Sequence, residues 1–470
     1  MKRSLKNIPP VITSHAVGEK RVLLSREESG CDLTQIAVTD LQAGETALAH
    51  IHPDMQEGFY VLEGELDVML NEEVLHCHKD DFVYVESGTA HELHAITKVR
   101  VMTLGCEIAS KRNQLYPFVF KPNLHPVIWG GSRIKPWKQM PNNSDPIGES
   151  WEVSGVPSSP SIIDNGCWAG NSLIDIINQM PTEILGRSVA QKYGNKLPLL
   201  VKFIDADKDL SIQVHPDDKM ALREHNKMGK TEMWYVIDAK PGAYLYAGFK
   251  EELSKEEYSK KVADGTIVDA LANHEVRTGD VFYLPAGRVH AICGGILLAE
   301  VQQTSDVTYR IYDYNRPGLD GKPRELHTEL AAKALDYKVY DKYRTDYTVK
   351  ESASSKILDC PFFNVRIVDI DQRFHRNLVK YDSFVITMCL KGSCHIKIRS
   401  TQDEVVLHEG NSCLIPAAIA DYDVEPIEGH SLLLDAFIDN RDKSVPVTDN
   451  GLFKKLTHLF HISKSKKLKL

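Results

Sequence analysis

One twelve-residue block is written three times in this 470-residue chain, and that repetition constrains the fold more than any other feature. Asp80-Asp81-Phe82-Val83-Tyr84-Val85-Glu86-Ser87-Gly88-Thr89-Ala90-His91 recurs as Gly279-Asp280-Val281-Phe282-Tyr283-Leu284-Pro285-Ala286-Gly287-Arg288-Val289-His290. It recurs more faintly as Gly410-Asn411-Ser412-Cys413-Leu414-Ile415-Pro416-Ala417-Ala418-Ile419-Ala420-Asp421. Each copy reads as a polar turn, a four-residue strand of β-branched and aromatic residues, and a second turn. A polar residue follows five places beyond the Pro/Glu position. Three such corners predict three β-barrel-like units, so the chain is expected to be mainly β. An apolar share of 42% and a charged share of 26% exclude wholesale disorder.

The first unit adds Gly44, His50-Ile51-His52, Glu57 and Gly64 ahead of its copy of the block. Alternate residues of a strand share a face, so His50 and His52 point the same way. With Glu57 and His91 they supply four nitrogen and oxygen donors, a set able to hold a divalent metal: zinc, iron, manganese or nickel. The spacing resembles the cupin family, whose motifs are G-x5-H-x-H-x(3,4)-E-x6-G and G-x5-P-x-G-x2-H. The first motif fits throughout. The second departs at Asp80, where the family has Gly, and at Glu86, where it has Pro, while Gly88 and His91 are kept. A possible second metal is therefore expected on His50, His52, Glu57 and His91.

In the middle unit the block from Gly279 to His290 matches the second motif at every position. Upstream, Ser211, Gln213 and His215 share one strand face by period-two parity, and Lys230 and Glu232 share a face of the next strand. A neutral amide, a carboxylate and two imidazoles could hold zinc and leave a position open. These segments resemble the type I mannose-6-phosphate isomerases, in wording nearest the shorter bacterial form, from about Tyr116 to about Tyr340. The likeness rests on Ile128-Trp129-Gly130-Gly131, Ile147-Gly148-Glu149-Ser150-Trp151-Glu152, Leu197 to Ala206, Ser211 to Asp218, Lys230 to Val236, Pro285 to Ala291 and Glu300 to Asp313. It implies zinc on Gln213, His215, Glu232 and His290, with Ser211, Lys230 and Arg310 binding substrate. It also implies that Glu300, Lys230 and Arg310 carry the chemistry: reversible isomerisation of mannose 6-phosphate and fructose 6-phosphate through an enediolate. Glu300 is the first choice for proton transfer, with Lys230 its rival. If the segment after Glu300 is one strand, Glu300, Gln302 and Arg310 face the cavity together. The competing readings are a non-catalytic sugar-phosphate-binding protein and an Fe(II)-dependent oxygenase.

Helical insertions are expected around this unit, at Thr182–Gly194, at Asp217–Gly229 and after the capping box Ser254-Lys255-Glu256-Glu257, with Gly265 as its stop. The third unit lacks H-x-H, carries Asp421 at the His position and Val385 where the first unit has Glu57, and is expected to be a metal-free β-sandwich. The resulting plan is tandem jelly-roll barrels of the cupin type: residues 1–112, the catalytic 113–345 with helical insertions, the degenerate 346–440, and a basic tail 441–470. A net charge of −9 argues against nucleic acid, and no apolar run approaches the ~18 residues of a membrane span. Met1-Lys2-Arg3-Ser4-Leu5-Lys6 leads into Pro9-Pro10 without an apolar stretch, and none of the nine cysteines forms a C-x-x-C pair. A cytoplasmic protein with reduced thiols and a small sugar phosphate as its partner is the expectation.

Overall fold

A computed structural model describes residues 2–13, 17–29, 33–52, 55–71, 73–107, 115–141 and 146–439. The expected basic tail, 441–470, lies outside them. The chain forms two compact units, Met1–Gln114 and Leu115–Leu470.

In the first unit a six-stranded antiparallel sheet runs in the order Val11–Ile12, Glu19–Ser25, Leu33–Leu41, Val99–Glu107, Met55–Glu63 and Phe82–Val85. A four-stranded sheet of Thr46–His50, His91–Ala95, Leu66–Leu70 and Glu73–Cys77 completes a jelly roll. Alternate residues such as Phe59, Val61, Val83, Val85 and Val101 fill its core.

The second unit repeats this plan twice. Its central sheet runs Leu124–Gly131, Ile147–Val153, Leu199–Ala206, Ile296–Gln303, Glu232–Ala239, Val281–Leu284, and the sheet paired with it runs Leu271–Glu275, Tyr244–Phe249, His290–Ile292, Ile212–Val214, Tyr309–Tyr312. The third barrel combines a six-stranded sheet, to which Phe118–Val119 adds an edge, with a four-stranded one of Phe374–Asn377, Asp421–Pro426, Ser393–Ile398 and Glu404–His408. Strand Leu199–Ala206 is buried along its whole length, so both of its faces are covered. Val201, Phe203, Met233, Tyr235 and Val301 belong to the same apolar cluster as Val365, Ile386 and Leu434, which joins the central and third barrels through one core.

The threefold repeat is visible in the backbone. Asp80, Gly279 and Gly410 all have positive φ (74°, 89° and 78°), so Asp80 adopts the left-handed turn that glycine makes in the other copies. The turns are pinned alike: Asp80 N–H donates to Val61 O, Gly279 N–H to Val236 O and Gly410 N–H to Cys389 O, at 2.8, 2.9 and 2.9 Å. His91, His290 and Asp421 each open the next strand. Glu57 pairs with Val85, Glu232 with Leu284 and Val385 with Ile415, while His50 pairs with His91, Gln213 with His290 and Asn377 with Asp421. Register thus superimposes three sets of positions, and in the third Val385 stands where the others hold the carboxylates of Glu57 and Glu232.

Two local expectations need correction. The helix expected over Thr182–Gly194 is two helices, Pro181–Leu185 and Arg187–Tyr193, broken at Gly186. Gly186 has φ 91°, and a Cβ there would collide with the carbonyl oxygen of Asp382. The Asp382 carboxylate then accepts from the N–H groups of Arg187 and Ser188 (3.1 and 2.9 Å), so the third barrel caps a helix of the central one. The capping box at Ser254 forms as expected and opens helix Lys255–Ala263, and Asp217 caps Asp218–His225. The second correction concerns the chain after Glu300, which is not one strand. Ile296–Gln303 ends where Gln302 Nε2 donates to the carbonyls of Gln303 and Ser305 (2.9 and 2.8 Å), and Tyr309–Tyr312 belongs to the facing sheet. Gln302 secures this exit and Arg310 stands on the opposite wall from Glu300. Among the described residues no helix is long and apolar enough to cross a membrane.

Candidate active site

Strand pairing assembles the central site from both walls. On the smaller sheet Gln213 stands between His290 and Arg310 in register, so the three form one row on the same face. On the larger sheet Glu232 pairs with Gln302, and Glu300 lies between Trp234 and Lys202. His215, Glu232 and His290 have donor atoms within 4.8 Å of one another, all buried. His215 Nε2 lies 3.3 Å and His290 Nε2 3.2 Å from the Glu232 carboxylate, and Gln213 Nε2 lies 3.3 Å from His290 Nε2. A half-turn of that amide would present its oxygen instead.

The donor set fits a divalent metal. His215 Nδ1 is bonded to Val307 O (3.1 Å) and His290 Nδ1 to Arg288 O (2.8 Å), which turns both Nε2 lone pairs inward. His215 Nε2 and both Glu232 oxygens are buried without a hydrogen-bond partner of good geometry. Lys230 Nζ is 3.0 Å from Glu232 as an ion pair. Burial first, then Lys230, pushes the His215 pKa down to about 3, and burial lowers that of His290, so both rings stay neutral and able to ligate. Although burial disfavours its charge, the Lys230 ammonium beside it holds the Glu232 carboxyl well below its usual range.

Beside this cluster lies a largely buried charged row, of which sequence reading singled out Glu300 but neither Lys202 nor Glu149. Lys202 Nζ sits 3.3 Å from Glu149 and 3.4 Å from Glu300, and 5.0 Å from the centre of the Trp151 ring. Trp234 Nε1 donates to Glu300 (2.9 Å) and Trp151 Nε1 to Glu149 (2.6 Å). Burial works against the Lys202 charge, yet Glu149, Glu300 and Glu232 raise its pKa above the ordinary lysine value. Burial and then the neighbouring Glu232 charge raise the pKa of Glu300. The available signal was parity: Lys202 interrupts the apolar run Leu199-Leu200-Val201-Lys202-Phe203-Ile204 on the inward face. Ser211 is buried immediately ahead of strand Ile212–Val214. Arg310 is half-buried, with Nη1 donating to Glu325 O at 2.8 Å and Nε buried without a partner.

The N-terminal barrel holds a second cluster, His50, His52, Glu57 and His91, also within 4.8 Å. His91 Nε2 and His52 Nε2 approach Glu57 at 3.1 and 3.4 Å, and His91 Nδ1 is bonded to Thr89 O two residues back, as His290 is to Arg288. Its charge row is missing. At the register of Glu300, Lys202 and Trp234 this barrel has Thr103, Ala37 and Phe59.

Three stretches of the chain match known families. Residues 117–252 match the family described as phosphomannose isomerase type I, catalytic domain; residues 354–431 match the mannose-6-phosphate isomerase cupin domain; residues 37–105 match the cupin domain. The chain is 35% identical over 314 residues to the probable mannose-6-phosphate isomerase GmuF of Bacillus subtilis, where 66% of this chain covers 96% of that protein. It is 33% identical to the mannose-6-phosphate isomerase of Streptococcus mutans, covering 67% of this chain and 98% of the other. Among solved structures, the mannose 6-phosphate isomerase of Bacillus subtilis aligns with a TM-score of 0.62 at 31% identity, over 68% of this chain and 99% of that one. A structure described as a mannosephosphate isomerase from Archaeoglobus fulgidus aligns with a TM-score of 0.55 at 26% identity, over 69% and 98%.

Proposed function

This chain belongs to the type I phosphomannose isomerases, and from that premise we propose that its central barrel interconverts mannose 6-phosphate and fructose 6-phosphate. The observation that carries the reading is the convergence, inside one barrel, of the donors Gln213, His215, Glu232 and His290 with the charged row Glu300–Lys202–Glu149.

The reaction moves a proton between C1 and C2 and builds negative charge on a sugar oxygen, so it needs a positioned proton carrier and groups that favour an oxyanion. Zinc is the metal assigned to Gln213, His215, Glu232 and His290; when bound it supplies Lewis acidity toward the sugar oxygens. Glu300 is the proton carrier. Its Oε2 is fixed by Trp234, while Oε1 faces Lys202 without hydrogen-bond geometry and so has capacity left for a proton. A carboxyl with a raised pKa also sits nearer the working range of a general acid–base. Lys230 is engaged 3.0 Å from Glu232, which favours a role in holding substrate over shuttling protons. Arg310, in the row with Gln213 and His290, places a guanidinium beside the same cavity.

Residues 1–112 make a separate cupin domain whose His50, His52, Glu57 and His91 hold a second divalent metal, and residues 346–440 make a metal-free structural barrel. With Thr103 and Ala37 at the positions of Glu300 and Lys202, the N-terminal barrel has the ligands without the acid–base row. A coupled assay of mannose 6-phosphate and fructose 6-phosphate interconversion, with metal counted by mass spectrometry on the same sample, tests the proposal. Turnover with zinc in the central site is expected. A fully metallated protein that interconverts neither sugar refutes it.

A further inference from the structure

After strand Tyr309–Tyr312 the chain makes a turn that sets one buried carboxylate among arginines. The Asp313 side chain is only 6% exposed. Arg324 donates to it from Nε and Nη2 at 2.7 and 2.6 Å, and Arg316 from the same two groups at 3.1 and 3.0 Å. The fold strains its backbone to make this arrangement: Tyr314 and Asn315, successive non-glycine residues, both lie in the left-handed region at φ 56° and 51°. The turn brings the Arg316 guanidinium back over the Tyr314 ring, 5.3 Å from its centre. Glu325 offsets the charge only in part, since its side chain is 82% exposed. Two guanidiniums on one carboxylate, with Arg310 close by, leave a local excess of positive charge. Its effect reaches Arg310, whose pKa is lowered by burial first and by Arg324 next.

The place of this cluster matters as much as its charge. Arg310 stands opposite Gln213, and Gln213 opposite His290. Neighbouring strands lie ~4.8 Å apart, so the row from His290 to Arg310 spans about 10 Å, and the Asp313 turn follows Arg310 by three residues along the last strand of that row. A substrate reacting at the metal-ligand end would present its other end here.

We propose that Arg316 and Arg324, held side by side by Asp313, form the subsite for the substrate's phosphate, an inference that rests on the isomerase reading above. Each guanidinium uses Nε and Nη2 on Asp313 and keeps its Nη1 donors for a second anion, the paired-fork geometry that suits a phosphate dianion. Arg310 is then left to the sugar oxygens, with its buried Nε as yet unpartnered.

Arg316→Gln and Arg324→Gln each leave Asp313 one guanidinium, which protects the fold. In each, KM for mannose 6-phosphate is expected to rise on the order of 10-fold or more with kcat within about 3-fold, because the lost contact holds ground state and transition state alike. The inhibition constant of inorganic phosphate should rise by the same factor. On the unmutated protein, inorganic phosphate should shield both arginines from phenylglyoxal, read by peptide mass spectrometry, which decides the matter should a variant fail to fold. An unmutated protein inactive on mannose 6-phosphate overturns the isomerase reading itself. With an active parent, unchanged KM and phosphate inhibition in both variants, a fall in kcat at constant KM, or equal labelling with and without phosphate overturns the subsite alone.

Discussion

Replacing Lys202 by methionine removes the ammonium between two carboxylates, the partly buried Glu149 at 3.3 Å and the buried Glu300 at 3.4 Å. Taking one partner from a buried ion pair typically costs 3–5 kcal/mol, because a desolvated charge is left without compensation. Here the buried Glu300 loses its nearest cation while Glu149 is 20% exposed and Lys230 still acts on both, so Lys202→Met is expected to destabilise the second unit by about 3 kcal/mol and to abolish most turnover. Adding Glu149→Gln should recover about half of the loss: the amide oxygen can still accept from Trp151 Nε1, and one of the two unpaired charges is gone. The double-mutant cycle should therefore show a coupling of at least about 1.5 kcal/mol, with stability partly recovered while kcat stays low for want of a positioned Glu300. Lys240→Met at the exposed pair with Asp207 (3.5 Å; side chains 62% and 52% exposed) is the control and should change stability by less than about 1 kcal/mol. All five tryptophans, Trp129, Trp137, Trp151, Trp168 and Trp234, belong to the second unit, so denaturant unfolding followed by tryptophan fluorescence reports on that unit. Additive losses in the double mutant would refute the argument, since they would mean that the lysine and glutamate do not share a charge balance.

Arg310→Ala should lower kcat/KM by on the order of 10²-fold or more with metal retained; near-normal kcat/KM in a fully metallated variant would remove Arg310 from the site. His215→Ala and His290→Ala should lose central metal and activity together, and a variant active without that metal would contradict the ligand assignment. His50→Ala/His52→Ala should remove one metal equivalent by mass spectrometry yet leave isomerase activity within a few-fold of the parent. Loss of activity with the central site still loaded would reveal a coupling free energy between the barrels.

The repeated block and strand parity were enough to find three barrels and both donor clusters. A turn, a short strand and an i, i+2 histidine pair are local features, and local sequence carries them directly. Even the departure at Asp80 was harmless, because aspartate tolerates the left-handed turn that glycine makes at Gly279 and Gly410. Val385 and Asp421 likewise stand in register with ligands of the other barrels and announce a third barrel without the ligand set. The Glu149–Lys202–Glu300 row was not legible, although each residue stood in a recognised segment. Those residues come from three strands, and which strands pair, and in which register, is settled by contacts separated by tens of residues. Arg310 shows the same limit: parity placed it beside Glu300, but over the five residues 304–308 the chain crosses to the facing sheet, and the guanidinium enters from the other wall. Gly186 and Asp382 meet only because the third barrel packs on the central one, so the helix break between them had no local cause beyond a glycine. Sequence by itself determined the strand corners and the ligand types, since these depend on φ, ψ and side-chain alternation within a few residues. Tertiary structure alone decided which charges face one another, because the pairing and register of three strands bring the Lys202 ammonium between Glu149 and Glu300.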